Sequence, residues 1–314
     1  MRRATQAMLR LPIEEYKAQS QGRLFSCPPK VVTFDAYNTL YSTKIPVLEH
    51  YCLVGKKYGI KGDFDGMLKR FPKIYKDLNI KHPNYGKHTN LTPNEWWSTL
   101  IRECFEPVKV PDAMVEEILV RFEGSDAYSI YPDLVPLLEK LQSLGCIVAI
   151  VSNTDPIMFT LMKNLGLDKF FKQNIFLSYD MEVKKPNPLF FKKVLAKLVN
   201  TNPELLDGIT MDQLENQYCY HVGDEMENDM LGAFSANWNG VLIDRANKYG
   251  FFSNEGKQEE LDEAKLATNK IDNNSKDTWA VSSAINDVIV PNAERQLVIP
   301  NFRVLETLLN TKTN

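Results

Sequence analysis

A single carboxylate, Asp35, closes the apolar run at residues 31–34 in "VVTFDAYNTLYS". Val31, Val32 and Phe34 read as a buried strand, and a carboxylate at the end of one has little freedom. So placed, it can attack phosphorus as a nucleophile, hold a metal ion, or simply begin a turn. Three further segments carry complementary groups. "VSNTD" offers the Ser152 hydroxyl and Asn153, with backbone N–H groups suited to phosphoryl oxygens. "KKPNP" offers Lys184 and Lys185, and "GDEMEND" offers Asp224 and Asp229 after Gly223, a residue that permits a sharp turn. Thr39 adds a hydroxyl beside Asn38, whose residue type tolerates the left-handed conformation. Carboxylates a few ångströms apart repel by about 1–4 kcal/mol at effective dielectrics of roughly 80 to 20. Asp35, Asp224 and Asp229 sharing one site with one lysine would call for a hard dication. Mg2+ suits, because it takes one or two carboxylates, waters and a substrate phosphate.

For these segments to meet, several strand ends must converge. Buried apolar runs recur at 146–153, 174–178, 218–224 and 240–244. Helical patterns lie between them at 133–144, 156–165, 188–199 and 227–234, with Pro156 and Pro188 near helix starts, where a missing N–H costs little. The alternation predicts an α/β fold, a doubly wound, Rossmann-like parallel sheet. Ligands of such sheets bind at the carboxyl ends of the strands, where Asp35, Ser152 and Asp224 stand. Residues 44–125 break the rhythm with helical stretches at 47–58, 64–78, 94–105 and 112–122, and read as a cap inserted into a core of 29–43 and 126–314. Residues 247–285 are polar and charge-rich, and predict a mobile surface insertion within the core, with room for one short helix.

Composition narrows the function classes. With 44% hydrophobic and 25% charged residues the chain is ordinarily globular, and its net charge of −3 gives no basic field for nucleic acid. No apolar run approaches the ~18–20 residues of a membrane span. Five cysteines without a C-x-x-C pair point to reduced thiols and an intracellular home. Residues 1–28 form a basic segment with Arg2, Arg3 and Arg10, and "RLFS" at 23–26 resembles a mitochondrial processing site, while Glu14 and Glu15 interrupt the basic character. A mitochondrial presequence and the terminus of a cytoplasmic enzyme are both open, and the oligomeric state is not readable.

The four segments "FDAYNTL", "VSNTD", "KKPNP" and "HVGDEMENDMLGA" resemble, in order and spacing, the four motifs of the haloacid dehalogenase (HAD) superfamily of hydrolases. The helical insertion after the first motif resembles the C1 cap of subfamily I, and "HPNYGKHTNLTPNEWW" (82–97) is similar to the rhythmically-expressed-gene-2-like branch. The resemblance implies a Mg2+-dependent phosphatase of a small phosphorylated metabolite, with Asp35 as nucleophile through an aspartyl-phosphate. It implies Mg2+ held by Asp35, the main-chain carbonyl of Tyr37 and Asp224, with Asp229 in support. Thr39, Ser152, Asn153 and Lys185 would bind the phosphate. Lys185 is preferred to Lys184 because the family lysine directly precedes proline. One departure stands out: the family's second aspartate, the general acid, is replaced by Tyr37. That leaves two alternatives, a non-catalytic or vestigial binding protein and a 2-haloacid dehalogenase. The dehalogenase's first motif resembles "FDAY-x-TL", but it lacks the Gly-Asp of "GDEMEND" and usually has Tyr where Phe191 stands. Tyr85, Trp96 and Trp97 line the crevice or form cap core, and Arg70 and Lys69 either reach an anionic substrate or, the reading preferred, lie on a solvated helix face.

Overall fold

Runs such as "VVTF" and "IVAIVS" are apolar on both faces, so they are stable only inside a sheet covered on both sides. The computed structural model, which describes residues 9–19, 23–252 and 273–310, places them there. The strands are β1 (Leu11–Pro12), β2 (Val31–Phe34), β3 (Tyr41–Thr43), β4 (Tyr128–Ile130), β5 (Ile147–Ser152), β6 (Ile175–Leu177), β7 (Cys219–Gly223), β8 (Asn239–Ile243), β9 (Val288–Ala293) and β10 (Gln296–Ile299). The main sheet has the order β1-β9-β10-β8-β7-β2-β5-β6. From β10 to β6 neighbouring strands are parallel, while β9 runs antiparallel to β10 and β1 antiparallel to β9. The chain winds from β2 to β5 and β6 on one side, then returns to β7, β8 and β10 on the other. The winding therefore reverses at β2, the position that opens a crevice at strand carboxyl ends.

Side chains alternate across β2. Val32 and Phe34 join a core with Leu137, Leu141, Met158 and Leu305, beneath the helices Leu134–Ser143, Ile157–Asn164 and Phe302–Leu309. Val31 faces the other side, with Phe190, Val194 and Ala233 of the helices Pro188–Thr201 and Gly232–Ser235. The expected doubly wound core is present, extended by β9 and β10, which the sequence reading did not separate from the tail.

The inserted residues form four helices, Val47–Lys57, Phe64–Lys81, Pro93–Phe105 and Asp112–Arg121, around a separate core that includes Leu48, Met67, Trp96, Leu100 and Met114. Thr92 opens the third with a reciprocal capping box to Glu95, and Pro93 occupies its first turn. The cap leaves and re-enters through the antiparallel β3–β4 ladder, in which Tyr41 pairs Ile130 and Thr43 pairs Tyr128.

One expectation needs correction. The segment 1–28 is not separate from the core where it is described. β1 pairs with β9, Tyr16, Leu24 and Phe25 are buried, Phe25 stacks on Tyr220 at 4.1 Å, and the Leu24 N–H donates to Tyr16 Oη. In the stretch 247–285 the one short helix for which there was room is present at Ser275–Ala284, while Phe251 is buried. Residues 253–272 lie outside the described part. Among the described residues no helix is long and apolar enough to cross a membrane.

Candidate active site

At the reversal point four buried charged groups meet. Asp35 follows β2, and its N–H donates to Val222 O of β7, which sets the carboxylate between the two strands. Lys185 Nζ donates to Asp35 Oδ1 at 2.6 Å and to Asp229 Oδ1 at 2.7 Å. Oxygens of Asp35, Asp224 and Asp229 all lie within 4.8 Å of one another. Burial opposes charge on Lys185, but Asp229 and Asp35 outweigh it and raise the ammonium above its ordinary range. Burial likewise opposes charge on Asp229, and Lys185 and His221 overcome it, so this carboxyl is held well below the usual range. Lys184 is exposed, and Lys185 is the lysine that enters the cluster.

Asp229 is engaged on both oxygens. Its Oδ1 also meets His221 Nε2 at 3.0 Å, and its Oδ2 accepts the Glu225 N–H at 2.9 Å. Burial lowers the His221 pKa and keeps the ring neutral. The neutral ring donates from Nε2 to Asp229, and Nδ1 accepts from Thr33 Oγ1 at 2.8 Å. Asp229 thus positions Lys185, leaving Asp35 and Asp224 as the carboxylates for a cation. Hard oxygens, buried and this close, fit Mg2+. A Cβ on Gly223 would stand 2.2 Å from the Asp229 carboxyl, so glycine here serves close approach.

The motif loops hold the remaining expected residues nearby. Asn38 adopts φ 61° and its N–H donates to Tyr41 O at 2.7 Å, the left-handed turn expected of it. Thr39 is buried, and its hydroxyl finds no hydrogen-bond partner among the described residues. Ser152 ends β5, buried. Asn153 Oδ1 accepts the Lys185 N–H at 2.8 Å and its Nδ2 donates to Lys185 O at 2.9 Å, so this residue orients the lysine's backbone. Tyr37 packs among aromatics, with ring centroids 6.2 Å from Tyr41 and 6.3 Å from Tyr128, and its hydroxyl lies 3.5 Å from Thr43 Oγ1.

The cap reaches this loop. Tyr85 Oη donates to Asn153 O at 2.9 Å, and Trp97 Nε1 to Asp155 Oδ2 at 2.8 Å. Trp96 is cap core, and Arg70 donates to Cys104 O inside the cap. Sequence reasoning missed His221, Thr33, Asp155 and Lys248. A lone histidine or threonine in an apolar strand carries no signal of its own, but alternation places Thr33 and His221 on paired strands beside Asp35.

A model of the haloacid dehalogenase-like hydrolase family matches residues 29–237. An uncharacterized protein of Saccharomyces cerevisiae is 46% identical over 282 residues, spanning 89% of this chain and 93% of its own. The rhythmically expressed gene 2 protein of Drosophila melanogaster is 27% identical over 228 residues, 68% of this chain and 82% of its own. A solved 2-haloacid dehalogenase from Pseudomonas syringae pv. Tomato is similar with a TM-score of 0.52 at 17% identity, over 90% of this chain and 98% of that one; this likeness concerns the fold alone.

Proposed function

The chain belongs to the haloacid dehalogenase-like hydrolases, and from that premise we propose that it is a Mg2+-dependent phosphatase of a small phosphorylated substrate. The observation that carries this reading is the Lys185 ammonium bridging Asp35 and Asp229 within a cluster of three buried carboxylates. A binder of neutral ligands has no use for so many charges brought out of water.

Asp35 would attack phosphorus, forming an aspartyl-phosphate as the bond to the leaving oxygen breaks. Lys185 would hold Asp35 in line and balance charge on the phosphoryl oxygens, with Thr39, Ser152 and Asn153 contributing donors. Asp35, Asp224 and the Tyr37 carbonyl would hold Mg2+, which would supply positive charge to offset that of the phosphoryl oxygens. Water would then release phosphate and restore Asp35. The Tyr37 side chain, packed against Tyr41 and Tyr128, is no substitute for a carboxylic acid. General acid catalysis is worth about 10²–10⁴-fold, so the preferred substrates are those whose leaving group departs without a proton, acyl phosphates above simple alkyl esters.

The test is phosphate release from acetyl phosphate and a panel of phosphate esters, with and without Mg2+, for the native protein and Asp35→Asn. Mg2+-dependent release that disappears in Asp35→Asn is expected. Release that survives the substitution would refute the nucleophile. Metal-independent chloride release from 2-chloropropionate would favour the dehalogenase reading. Ligand-induced thermal shifts with no release of either ion would favour a binding protein. For location, an intracellular protein is the reading we favour, and N-terminal sequencing of the native protein separates mitochondrial from cytoplasmic: a start near Ser26 means import and cleavage.

A further inference from the structure

Lys248 lies outside every motif, in the turn after β8, yet its Nζ donates to Asp224 Oδ2 at 2.8 Å. That turn is built to hold it there. The Asp244 carboxylate accepts the N–H groups of Lys248 at 2.8 Å and Tyr249 at 3.2 Å. Tyr249 Oη in turn accepts the Met226 N–H at 3.0 Å, just beyond Asp224 in the chain. The turn therefore grips the loop that carries Asp224 at two points.

Asp224 is thus addressed by two cations, this ammonium and the Mg2+ of the proposed function. The three carboxylates of the cluster carry three negative charges against the four positive ones of Lys185, Lys248 and Mg2+, and a dication beside an ammonium is repelled by it. The two lysines of the site differ in what they can do about this. Lys185 is 2% exposed and clamped between two carboxylates. Lys248 has one carboxylate ion-pair partner among the described residues, its side chain is 17% exposed, and its four-carbon stem is flexible.

We propose that Lys248 is a resident counter-cation that Mg2+ displaces from Asp224, so that the Lys248–Asp224 ion pair and metal loading exclude each other. The pair would hold the loop in order at low Mg2+ and set the metal concentration at which the site fills. This rests on the reading of Asp224 as a metal ligand.

Two measurements on the full chain test it. The first is calorimetric titration of Mg2+ into the native protein, Lys248→Met and, as a control, Lys184→Met, whose lysine is exposed beside the site. Lys248→Met should bind Mg2+ at least about tenfold more tightly, and Lys184→Met should match the native protein. The second needs no variant: acetylation of Lys248 by an amine-reactive ester, read by mass spectrometry, should rise with Mg2+ and saturate where binding does. Equal or weaker binding by Lys248→Met, or Lys248 labelling that does not rise, overturns displacement while leaving the metal site standing. An absence of Mg2+ binding in all three proteins overturns both.

Discussion

Tyr37 and Lys185 are the two residues on which the proposed phosphatase chemistry turns. If the missing acid is what limits turnover, Tyr37→Asp should raise hydrolysis of alkyl phosphate esters by about 10²-fold and leave acetyl phosphate nearly unchanged; steady-state rates on the two substrates check this. Lys185→Met has an effect that needs no substrate. It leaves Asp35 and Asp229 facing each other without their shared cation, and removing one partner of a buried pair costs about 3–5 kcal/mol. Urea unfolding should show a loss of that size. Asp35, Lys185, Asp224 and Asp229 were singled out in the sequence by the order and spacing of the four motifs, not by residue type alone, and the fold brings them into one buried cluster. His221 and Lys248 were not legible. The first is a polar residue inside an apolar strand, and its partner becomes visible only when β2 and β7 are side by side. The second belongs to a polar stretch whose bland reading, a solvated surface, is right for most such lysines.

The elements that matter most to the site are the ones that cross between domains. The turn Asn84–Gly86 and the helix Pro93–Phe105 belong to the cap, yet Tyr85 and Trp97 donate to the Asn153 carbonyl and to Asp155 in the core. Asp155 is fully buried, and its other oxygen accepts the Ile157 N–H at the start of the following helix. Desolvation raises its pKa, so the indole is part of what makes the carboxylate tolerable there. Trp97→Phe removes that donor and should cost about 1–3 kcal/mol in chemical denaturation, with the cap becoming more open to limited proteolysis. The four cap helices and the parallel core were readable from periodicity. β3 and β4 were not, because "YST" and "YSI" are three residues each, too short for alternation to speak. β1 was missed for the same reason, and with it the fact that charge on residues 1–28 coexists with a buried Tyr16, Leu24 and Phe25.

At the scale of the whole molecule the cap packs around a core separate from those on the two faces of the main sheet. The cap core holds His50, which accepts from Arg121 Nε at 2.8 Å and packs edge-on against Phe122. Burial, then Arg121, lowers its pKa from 6.5 to about 4. The unfolded chain therefore takes up this proton first as pH falls. Stability is full above pH 6.5, declines as pH drops towards about 4, and levels off below. Thermal melts of the native protein and His50→Asn across that window should diverge below pH 6.5, with the variant the less acid-sensitive of the two. The cap and the sheet domain are joined by the β3–β4 ladder, whose strands begin and end beside the turn that follows Asp35: Asn38 N–H donates to Tyr41 O, and Tyr131 N–H to Leu40 O. The chain's two crossings into the cap are thus hydrogen-bonded to the turn that follows Asp35, so cap and candidate site share one joint.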